Sequence, residues 1–331
     1  MKVLVIGATG FLGSHVARAA LAAGHDVRAM RRSTSSTLAL EDIASDLEFV
    51  TGNLHDPASL KTAMKGCDWV FSTAGYYPLY SFNIAGQQEQ ALIELKNLVE
   101  AAKAQGVQRF LYTSSMSTIG KAAHGRLATE KTPYDPAQYR GAYYRIKYAM
   151  EQYLLQESTA GFPTVILNPT GIFGDYDVKP TSGQFIVLTA NGKVPFMVDA
   201  PCNMIDVRDV ASGHIRAAER GALGERYILG HENTTLLEFA RQIARQAGVR
   251  GPLACLPLTL VKEVARLSEY ASRYLLNRDK PLLPLVGLEY VEHGQHFDST
   301  KALRQLDLPQ TPLTETIDRA LAWFDKHAYL T

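Results

Sequence analysis

A short apolar run that leads directly into regularly spaced glycines is the feature that most constrains the fold of this chain. Val3-Leu4-Val5-Ile6 is followed by Gly7-Ala8-Thr9-Gly10-Phe11-Leu12-Gly13 and by a helical pattern over residues 11–23. Glycines at such a turn let the backbone approach a ligand closely, and the start of a helix offers free N–H groups to an anion. The segment therefore predicts a strand, a phosphate-binding loop and a helix in succession.

Strands and helices alternate in this way through the first half of the chain. Apolar runs predict strands at 2–7, 27–30, 47–52, 69–73, 109–113 and 163–168. Longer amphipathic segments between them predict helices at 11–23, 57–65, 87–105 and 139–158. This alternation is typical of an α/β fold, in which helices cover both faces of a doubly wound parallel sheet.

The pattern becomes irregular after residue 168, and residues 175–203 are rich in glycine, proline and polar side chains. The remaining chain predicts strands at 204–206 and 226–229 and helices at 208–220, 235–247, 258–276 and 315–327. We expect two interleaved domains. Residues 1–174 form the nucleotide-binding domain, with a return to its sheet near 204–230, and residues 175–331 mainly form a smaller substrate-binding domain.

The predicted helix 258–276 carries an apolar stripe. It is formed by Leu260, Val261, Val264, Leu267, Ala271 and Leu275. Such a stripe favours packing against a core or another domain, and a lid over an apolar substrate is the alternative.

Composition argues against a nucleic-acid binder, a disulfide-rich protein, a metalloprotein and a membrane-spanning protein. The 331 residues include 34 Lys+Arg and 33 Asp+Glu, so the net charge of +1 does not favour a nucleic-acid binder. Cys67, Cys202 and Cys255 are an odd number without metal-ligand spacing, which favours a reducing compartment and a cytoplasmic protein. The histidines show no metal spacing, so no metal is expected. No apolar run approaches about 18 residues, so no membrane span is expected.

Two arginines follow the second predicted strand. A site selective for NAD would carry Asp or Glu at this place to bind the ribose 2′-hydroxyl, and the sequence has Arg31-Arg32 instead. Guanidinium groups suit a 2′-phosphate, because each can donate two parallel hydrogen bonds. The sequence therefore favours NADP, with NAD as the alternative.

The predicted helix 139–158 carries a tyrosine and a lysine four residues apart. Tyr143 and Lys147 share one helix face, where the ammonium would favour the phenolate and so suit the phenol for acid–base chemistry. The strand at 109–113 ends at Ser114-Ser115, where a parallel sheet presents its edge to ligands. A serine hydroxyl there could hold a substrate oxygen.

Further segments carry a resemblance to a known family. They are Gly52-Asn53-Leu54-His55-Asp56, Ser72-Thr73-Ala74-Gly75, Tyr112-Thr113-Ser114-Ser115-Met116-Ser117-Thr118-Ile119-Gly120, Asn168-Pro169-Thr170-Gly171-Ile172-Phe173-Gly174, Val207-Arg208-Asp209-Val210-Ala211 and Phe297-Asp298-Ser299-Thr300-Lys301-Ala302. With the glycine loop and the Tyr–Lys pair, they make the sequence similar, nearly end to end, to extended short-chain dehydrogenases/reductases of the NAD-dependent epimerase/dehydratase type. Among the branches of that family, the chain most resembles hopanoid-associated sugar epimerase-like and dihydroflavonol-reductase-like proteins.

The resemblance implies a Rossmann-type fold and a catalytic set of Ser115, Tyr143 and Lys147, with Ser115 identified by counting back from Gly120. It also implies that residue 53 touches adenine, that 73–75 border the cofactor and that 168–170 lie against the nicotinamide. The predicted cofactor contacts are Gly7, Thr9, Gly10, Phe11, Leu12, Gly13, Arg31, Arg32, Asn53, Leu54, Thr73, Ala74, Gly75, Thr113, Lys147, Asn168, Pro169 and Thr170.

The sequence departs from the family pattern in three places. Asn53 replaces the usual aspartate, although an amide can still bind the amino group of adenine. Ser115-Met116-Ser117 lacks the Thr-Asp-Glu arrangement of sugar dehydratases, which disfavours elimination chemistry. Cys202-Asn203-Met204 lacks the arginine that many sugar-nucleotide epimerases use to bind the diphosphate, which disfavours a nucleotide-sugar substrate.

Three functions stay open at this point. The resemblance favours an epimerase like those acting on nucleoside-diphosphate sugars, whereas Arg31-Arg32 favours an NADPH-dependent ketone or aldehyde reductase. A dinucleotide-sensing regulator without turnover is the third. In both enzymes, Tyr143 transfers a hydroxyl proton during hydride exchange with a small-molecule substrate. We expect a weakly charged substrate pocket that includes Tyr76, Tyr77 and Tyr80, and the sequence leaves a homodimer open.

Overall fold

A parallel sheet forms the centre of the protein, for which a computed structural model describes residues 1–74, 83–274 and 285–331. The strands are β1 (Lys2–Ile6), β2 (Asp26–Arg31), β3 (Leu47–Thr51), β4 (Trp69–Ser72), β5 (Arg109–Thr113), β6 (Thr164–Pro169), β7 (Gly171–Phe173), β8 (Phe196–Met197), β9 (Pro201–Asp206), β10 (Arg226–Leu229), β11 (Glu232–Thr235) and β12 (Ala254–Cys255). The seven-stranded sheet has the order β3-β2-β1-β4-β5-β6-β10, and every neighbouring pair in it is parallel. The predicted doubly wound parallel sheet is confirmed.

Helices pack on both faces of this sheet. They are α1 (Phe11–Ala22), α2 (Pro57–Met64), α3 (Ile84–Ala104), α4 (Ala142–Thr159), α5 (Gly183–Ala190), α6 (Val207–Arg220), α7 (Leu236–Gln246), α8 (Leu258–Tyr274), α9 (Leu285–Glu292), α10 (Thr300–Leu306) and α11 (Leu313–Lys326). Val16 of α1 and Ile215 of α6 join the core on one face. Leu60 of α2, Leu95 of α3 and Ile146 of α4 join the core on the other.

Two helix starts differ from the prediction by three residues. The catalytic-pair helix begins at Ala142 and not at residue 139, because the chain first forms a short 3₁₀ turn, Pro136–Gln138, capped by the carboxylate of Asp135. Helix α3 begins three residues earlier than predicted, since the side chain of Asn83 accepts a hydrogen bond from the Gly86 N–H and caps it.

The predicted return to the sheet is corrected in part. Strand β10 does pair with β6, and α6 packs against α1. The segment predicted as a strand at 204–206 is longer, and it lies in a second, three-stranded sheet of the order β11-β9-β7. A third core, which includes Phe173, Phe239 and Phe324, packs between this small sheet and helices α5, α7 and α11. The domain division at residue 174 stays a prediction.

The apolar stripe of α8 does not pack as predicted. Leu260, Val264 and Leu267 are 53%, 51% and 68% exposed, whereas Ala265 on another side of the helix is fully buried. A stripe in the sequence shows which residues share a helix face, but whether another element covers that face depends on tertiary packing. Leu275 lies outside the described residues. Within the described residues, no helix is long and apolar enough to cross a membrane.

Candidate active site

The glycine loop lies between the end of β1 and the start of α1. Gly7 has a φ of +84°, a conformation that side chains other than glycine rarely adopt, and its carbonyl accepts a hydrogen bond from the Gly10 N–H at 2.9 Å. Gly10 precedes α1 without a side-chain cap, and the first turn of α1 carries no acidic residue. The first N–H groups of α1, which have no partners within the helix, are therefore available to an anion.

The loop is packed as closely as a dinucleotide-binding loop requires. A Cβ atom at Gly13 would lie 2.1 Å from the carbonyl oxygen of Gly7 and 2.7 Å from Oγ1 of Thr73. A Cβ at Gly7 would lie 2.8 Å from the backbone nitrogen of Ala74. The helix thus approaches the end of β4 at a distance that only glycine permits, which is the packing that a dinucleotide-binding loop needs.

The two arginines lie at the end of β2, next to this loop. Ile6 of β1 pairs with Met30 of β2, so Arg31 follows at the level of the glycine turn. The Arg31 guanidinium lies 5.3 Å from the ring centroid of Phe49, and Arg32 is exposed. Neither guanidinium forms an ion pair or hydrogen bond within the part of the chain that the structure describes.

The other predicted cofactor contacts lie along the same sheet edge. Asn53 is exposed after β3 and its side-chain oxygen accepts from the His55 N–H at 3.1 Å, while the Leu54 carbonyl accepts from the side-chain amide of Asn97. Thr73 follows β4, and its hydroxyl donates to the carbonyl of Ile6 at 2.8 Å. Gly75, Tyr76, Tyr77 and Tyr80 lie outside the described residues.

Ser115 is buried at the start of a short 3₁₀ helix, Met116–Thr118, after β5. Its Oγ accepts a hydrogen bond from the Ser117 N–H at 3.1 Å. The hydroxyl proton of Ser115 is not used in that bond, so it remains able to donate to a substrate oxygen.

Tyr143 and Lys147 lie one turn apart on α4, which packs against this short 3₁₀ helix. Tyr143 is half-buried, and its ring stands edge-on to that of Tyr144 at 6.2 Å. Lys147 is only 1% exposed, and its Nζ donates to the carbonyl of Thr113 at 3.1 Å. Three elements, the end of β5, the 3₁₀ helix and α4, therefore bring the predicted catalytic set into one region.

Burial controls the protonation of Lys147. It lowers the pKa of the ammonium to about 8, and the charge of Glu151 opposes this shift. At about pH 8.5 the amine is therefore mostly neutral in the free protein.

We expect dinucleotide binding at about pH 8.5 to be accompanied by proton uptake. The phosphate charges and ribose hydroxyl oxygens of the ligand favour the ammonium form of Lys147, so its pKa should rise on binding. The uptake should approach about three-quarters of a proton per site, measured by calorimetry in buffers of different ionisation heat. Lys147→Met should abolish it, and an uptake that persists in this variant would contradict the assignment.

A buried histidine that the sequence analysis did not identify supports this lysine through Thr113. His214 of α6 is fully buried, and its Nδ1 lies 2.8 Å from the carbonyl of Val210, so Nδ1 carries the proton. Its Nε2 then accepts from the Thr113 hydroxyl at 2.8 Å. Burial lowers the pKa of His214 to about 4, which keeps the ring neutral.

Glu151 is a buried carboxylate that is linked to Ser115 through Asn168 and Thr118, and the sequence analysis did not identify it. Its Oε2 accepts from the side-chain amide of Asn168 at 2.7 Å and from the Thr118 hydroxyl at 2.7 Å, and Arg226 neutralises its other oxygen. The same amide donates to the Ser115 carbonyl at 3.1 Å. Glu151 lies four residues after Lys147 on the same helix face, and this spacing could have identified it from the sequence.

The remaining predicted contacts, Pro169 and Thr170, are buried at the end of β6. The Thr170 hydroxyl donates to the side-chain oxygen of Asn203 on β9 at 2.8 Å. This bond joins the main sheet to the small sheet on the side where the nicotinamide contacts were predicted.

A cleft lies between the main sheet and the C-terminal elements, and some of its lining residues are chain neighbours of the predicted catalytic set. Met116 and Ser117, which follow Ser115, and Tyr144, which follows Tyr143, line it. The other lining residues are Ile119, Tyr139, Pro201, Cys202, Leu236, Tyr290, His293, Gly294, Gln295 and Phe297. None of these carries a carboxylate, an ammonium or a guanidinium group, so this cleft suits a mainly apolar ligand.

Comparison with known proteins gives a consistent family. The model of the NAD dependent epimerase/dehydratase family matches residues 3–230. A protein of Synechocystis sp. named "Putative dihydroflavonol 4-reductase" is 33% identical over 98% of this chain and 95% of its own. Sterol demethylase protein B of Methylococcus capsulatus is 28% identical over 98% of both chains.

A similar solved structure is that of a nucleoside-diphosphate-sugar epimerase from Pseudomonas aeruginosa. It is 29% identical, with a TM-score of 0.85, and the likeness covers 100% of this chain and 99% of that one. The fold and the order of its elements are therefore shared over the whole length.

Proposed function

Because the chain belongs to the NAD-dependent epimerase/dehydratase family, we propose that it is an NADP-dependent oxidoreductase acting on an apolar alcohol or the corresponding ketone. Members of this family are NAD(P)-dependent enzymes of the extended short-chain dehydrogenase/reductase type. Membership therefore argues against the third alternative, a dinucleotide-sensing regulator without turnover. The observation that carries the choice of substrate is the cleft lined by chain neighbours of Ser115 and Tyr143. Its lining is mainly apolar and aromatic and carries no carboxylate, ammonium or guanidinium group.

The substrate class follows from what this cleft offers. A diphosphate carries two or more negative charges, and proteins bind such groups with arginine, lysine or helix N-termini. The lining offers aromatic rings instead, among them Tyr139 and Tyr144. Two relatives are named for a dihydroflavonol reductase and a sterol demethylase, and both names refer to compounds with fused rings and little charge.

The preference for NADP is supported by Arg31 and Arg32. Their place at the end of β2, level with the glycine loop, is where the adenosine ribose of a dinucleotide would lie. Since neither guanidinium is engaged by a carboxylate in the described part of the chain, both are available to a 2′-phosphate.

The proposed roles of the catalytic set follow from its contacts. When bound, the nicotinamide supplies the hydride acceptor or donor. Ser115, held by the Ser117 N–H, donates a hydrogen bond to the substrate oxygen. Tyr143 takes the proton of the hydroxyl during oxidation and returns it during reduction. Lys147, fixed by the carbonyl of Thr113, stabilises the tyrosinate and binds the nicotinamide ribose.

A substrate assay tests the proposal. The purified protein is incubated with NADP⁺ and a hydroxysteroid, with NADPH and a dihydroflavonol, and separately with UDP-glucose. We expect NADPH absorbance to change with one of the ring alcohols or ketones, and UDP-glucose to be unchanged. Conversion of UDP-glucose to its epimer without net reduction of the cofactor would instead establish a sugar epimerase, the candidate that the Pseudomonas aeruginosa structure favours.

A further inference from the structure

Two buried polar atoms of residues that line the cleft, Oγ of Ser117 and Nδ1 of His293, have no hydrogen-bond partner among the described residues. We propose that they bind a second, uncharged oxygen group of the substrate. This inference rests on the proposed function and makes its substrate class more specific. The reacting oxygen belongs to Ser115 and Tyr143, so the second oxygen would identify a diol or a hydroxy-ketone.

Ser117 is the first of these groups. It lines the cleft and is 4% exposed, yet its Oγ has no hydrogen-bond partner in the part of the chain that the structure describes. Its backbone N–H is bonded to Oγ of Ser115, so the position of Ser117 relative to the catalytic serine is fixed. A buried hydroxyl without a partner is destabilising, and a hydrogen bond to a substrate oxygen would remove that penalty.

His293 is the second group. Its Nδ1 is buried and has no hydrogen-bond partner among the described residues, and its ring centroid lies 4.4 Å from that of Tyr139, another lining residue. Burial lowers the pKa of His293. The charges of Glu289 and Glu292 and an interaction with the backbone of Gln138 oppose the shift, and the charge of Lys121 adds to it. The ring is therefore neutral at pH 7, and a neutral imidazole suits an uncharged hydroxyl or carbonyl better than a carboxylate.

The helix that precedes His293 is tied to the catalytic helix. Glu289 of α9 is buried, and its two carboxylate oxygens accept from the backbone N–H groups of Arg140 and Gly141 at 2.6 and 2.7 Å. Gly141 is the N-cap of α4, which carries Tyr143. His293 is thus held at a set position relative to the reacting groups, as a specificity contact requires.

Gln295 also lines the cleft, but its side-chain amide is already hydrogen-bonded within the protein. Gln295 accepts from the Ala122 N–H at 2.9 Å and donates to the Gly120 carbonyl at 3.0 Å, so both ends of its amide hold the backbone. Gln295 therefore has a structural role, whereas the unpaired atoms of Ser117 and His293 are available to a ligand.

The experiment compares ring alcohols that differ by one oxygen. The parent probe is a steroid whose only oxygen is a 3β-hydroxyl group. Its analogues carry one added hydroxyl or keto group at different ring positions, and each is assayed with NADP⁺. We expect one added position to raise kcat/KM about tenfold over the parent, mainly through a lower KM. Ser117→Ala and His293→Phe should each bring the ratio of kcat/KM for that analogue to kcat/KM for the parent closer to one.

Met116→Leu is the matched control, because it changes a neighbouring lining residue without removing a polar group, and it should keep the ratio. If the alcohols are oxidised but the ratio is the same in Ser117→Ala, His293→Phe and the unchanged protein, the second contact is wrong and the proposed function stands. If no alcohol in the series is oxidised, both are overturned.

Discussion

Replacing Tyr143 by phenylalanine is expected to reduce turnover about 10²–10⁴-fold while dinucleotide affinity stays nearly unchanged. The substitution removes the phenolic proton but keeps the ring that packs against Tyr144. The predicted dinucleotide contacts of the glycine loop lie on other elements, so cofactor binding should not depend on this hydroxyl. The measurement is kcat with the ring alcohol identified in the substrate assay, together with calorimetric binding of NADP⁺.

Tyr148→Phe is the control for this variant. Tyr148 lies on the same helix and its ring stacks on that of Tyr134 at 4.1 Å, so the substitution removes a hydroxyl from the same helix without touching the Tyr143–Lys147 pair. Its kcat should stay close to that of the unchanged protein. Normal turnover in Tyr143→Phe would show that another group transfers the proton.

Changing both Arg31 and Arg32 to aspartate is expected to reverse the preference between NADP and NAD. The double variant loses two groups suited to the 2′-phosphate and gains carboxylates, which repel that phosphate and can accept a hydrogen bond from a ribose 2′-hydroxyl. We expect the ratio of the two affinities to change about 10²-fold or more, measured by calorimetry at one salt concentration.

The change in net charge needs its own control. Arg220→Asp with Arg304→Asp alters the total charge by the same amount at two exposed positions, on α6 and α10, away from the loop. This control should keep the preference for NADP. Equal affinity for NADP and NAD in the unchanged protein, with no response to the Arg31 and Arg32 changes, would refute the assignment of the two arginines.

Local patterns in the sequence determined the fold class and the order of its first elements. An apolar run followed by glycines and a helical repeat specifies a strand, a turn and a helix, because side-chain periodicity and the conformational freedom of glycine act over a few residues. The predicted strand at 109–113 agrees with β5, and the predicted helix at 11–23 agrees with α1 to within one residue. Tyr143 and Lys147 were found for the same reason, since their relation is one helical turn.

Tertiary structure alone decided what surrounds these residues. His214 supports Lys147 through Thr113 although it lies 101 residues from Thr113 in the chain, and Asn168 reaches the Ser115 carbonyl across 53 residues. The strand at 201–206 joined a second sheet, and Leu260, Val264 and Leu267 of the apolar stripe of α8 were left exposed. Such outcomes depend on strand order, register and packing between distant segments, and the periodicity of a single segment carries no information about its partner.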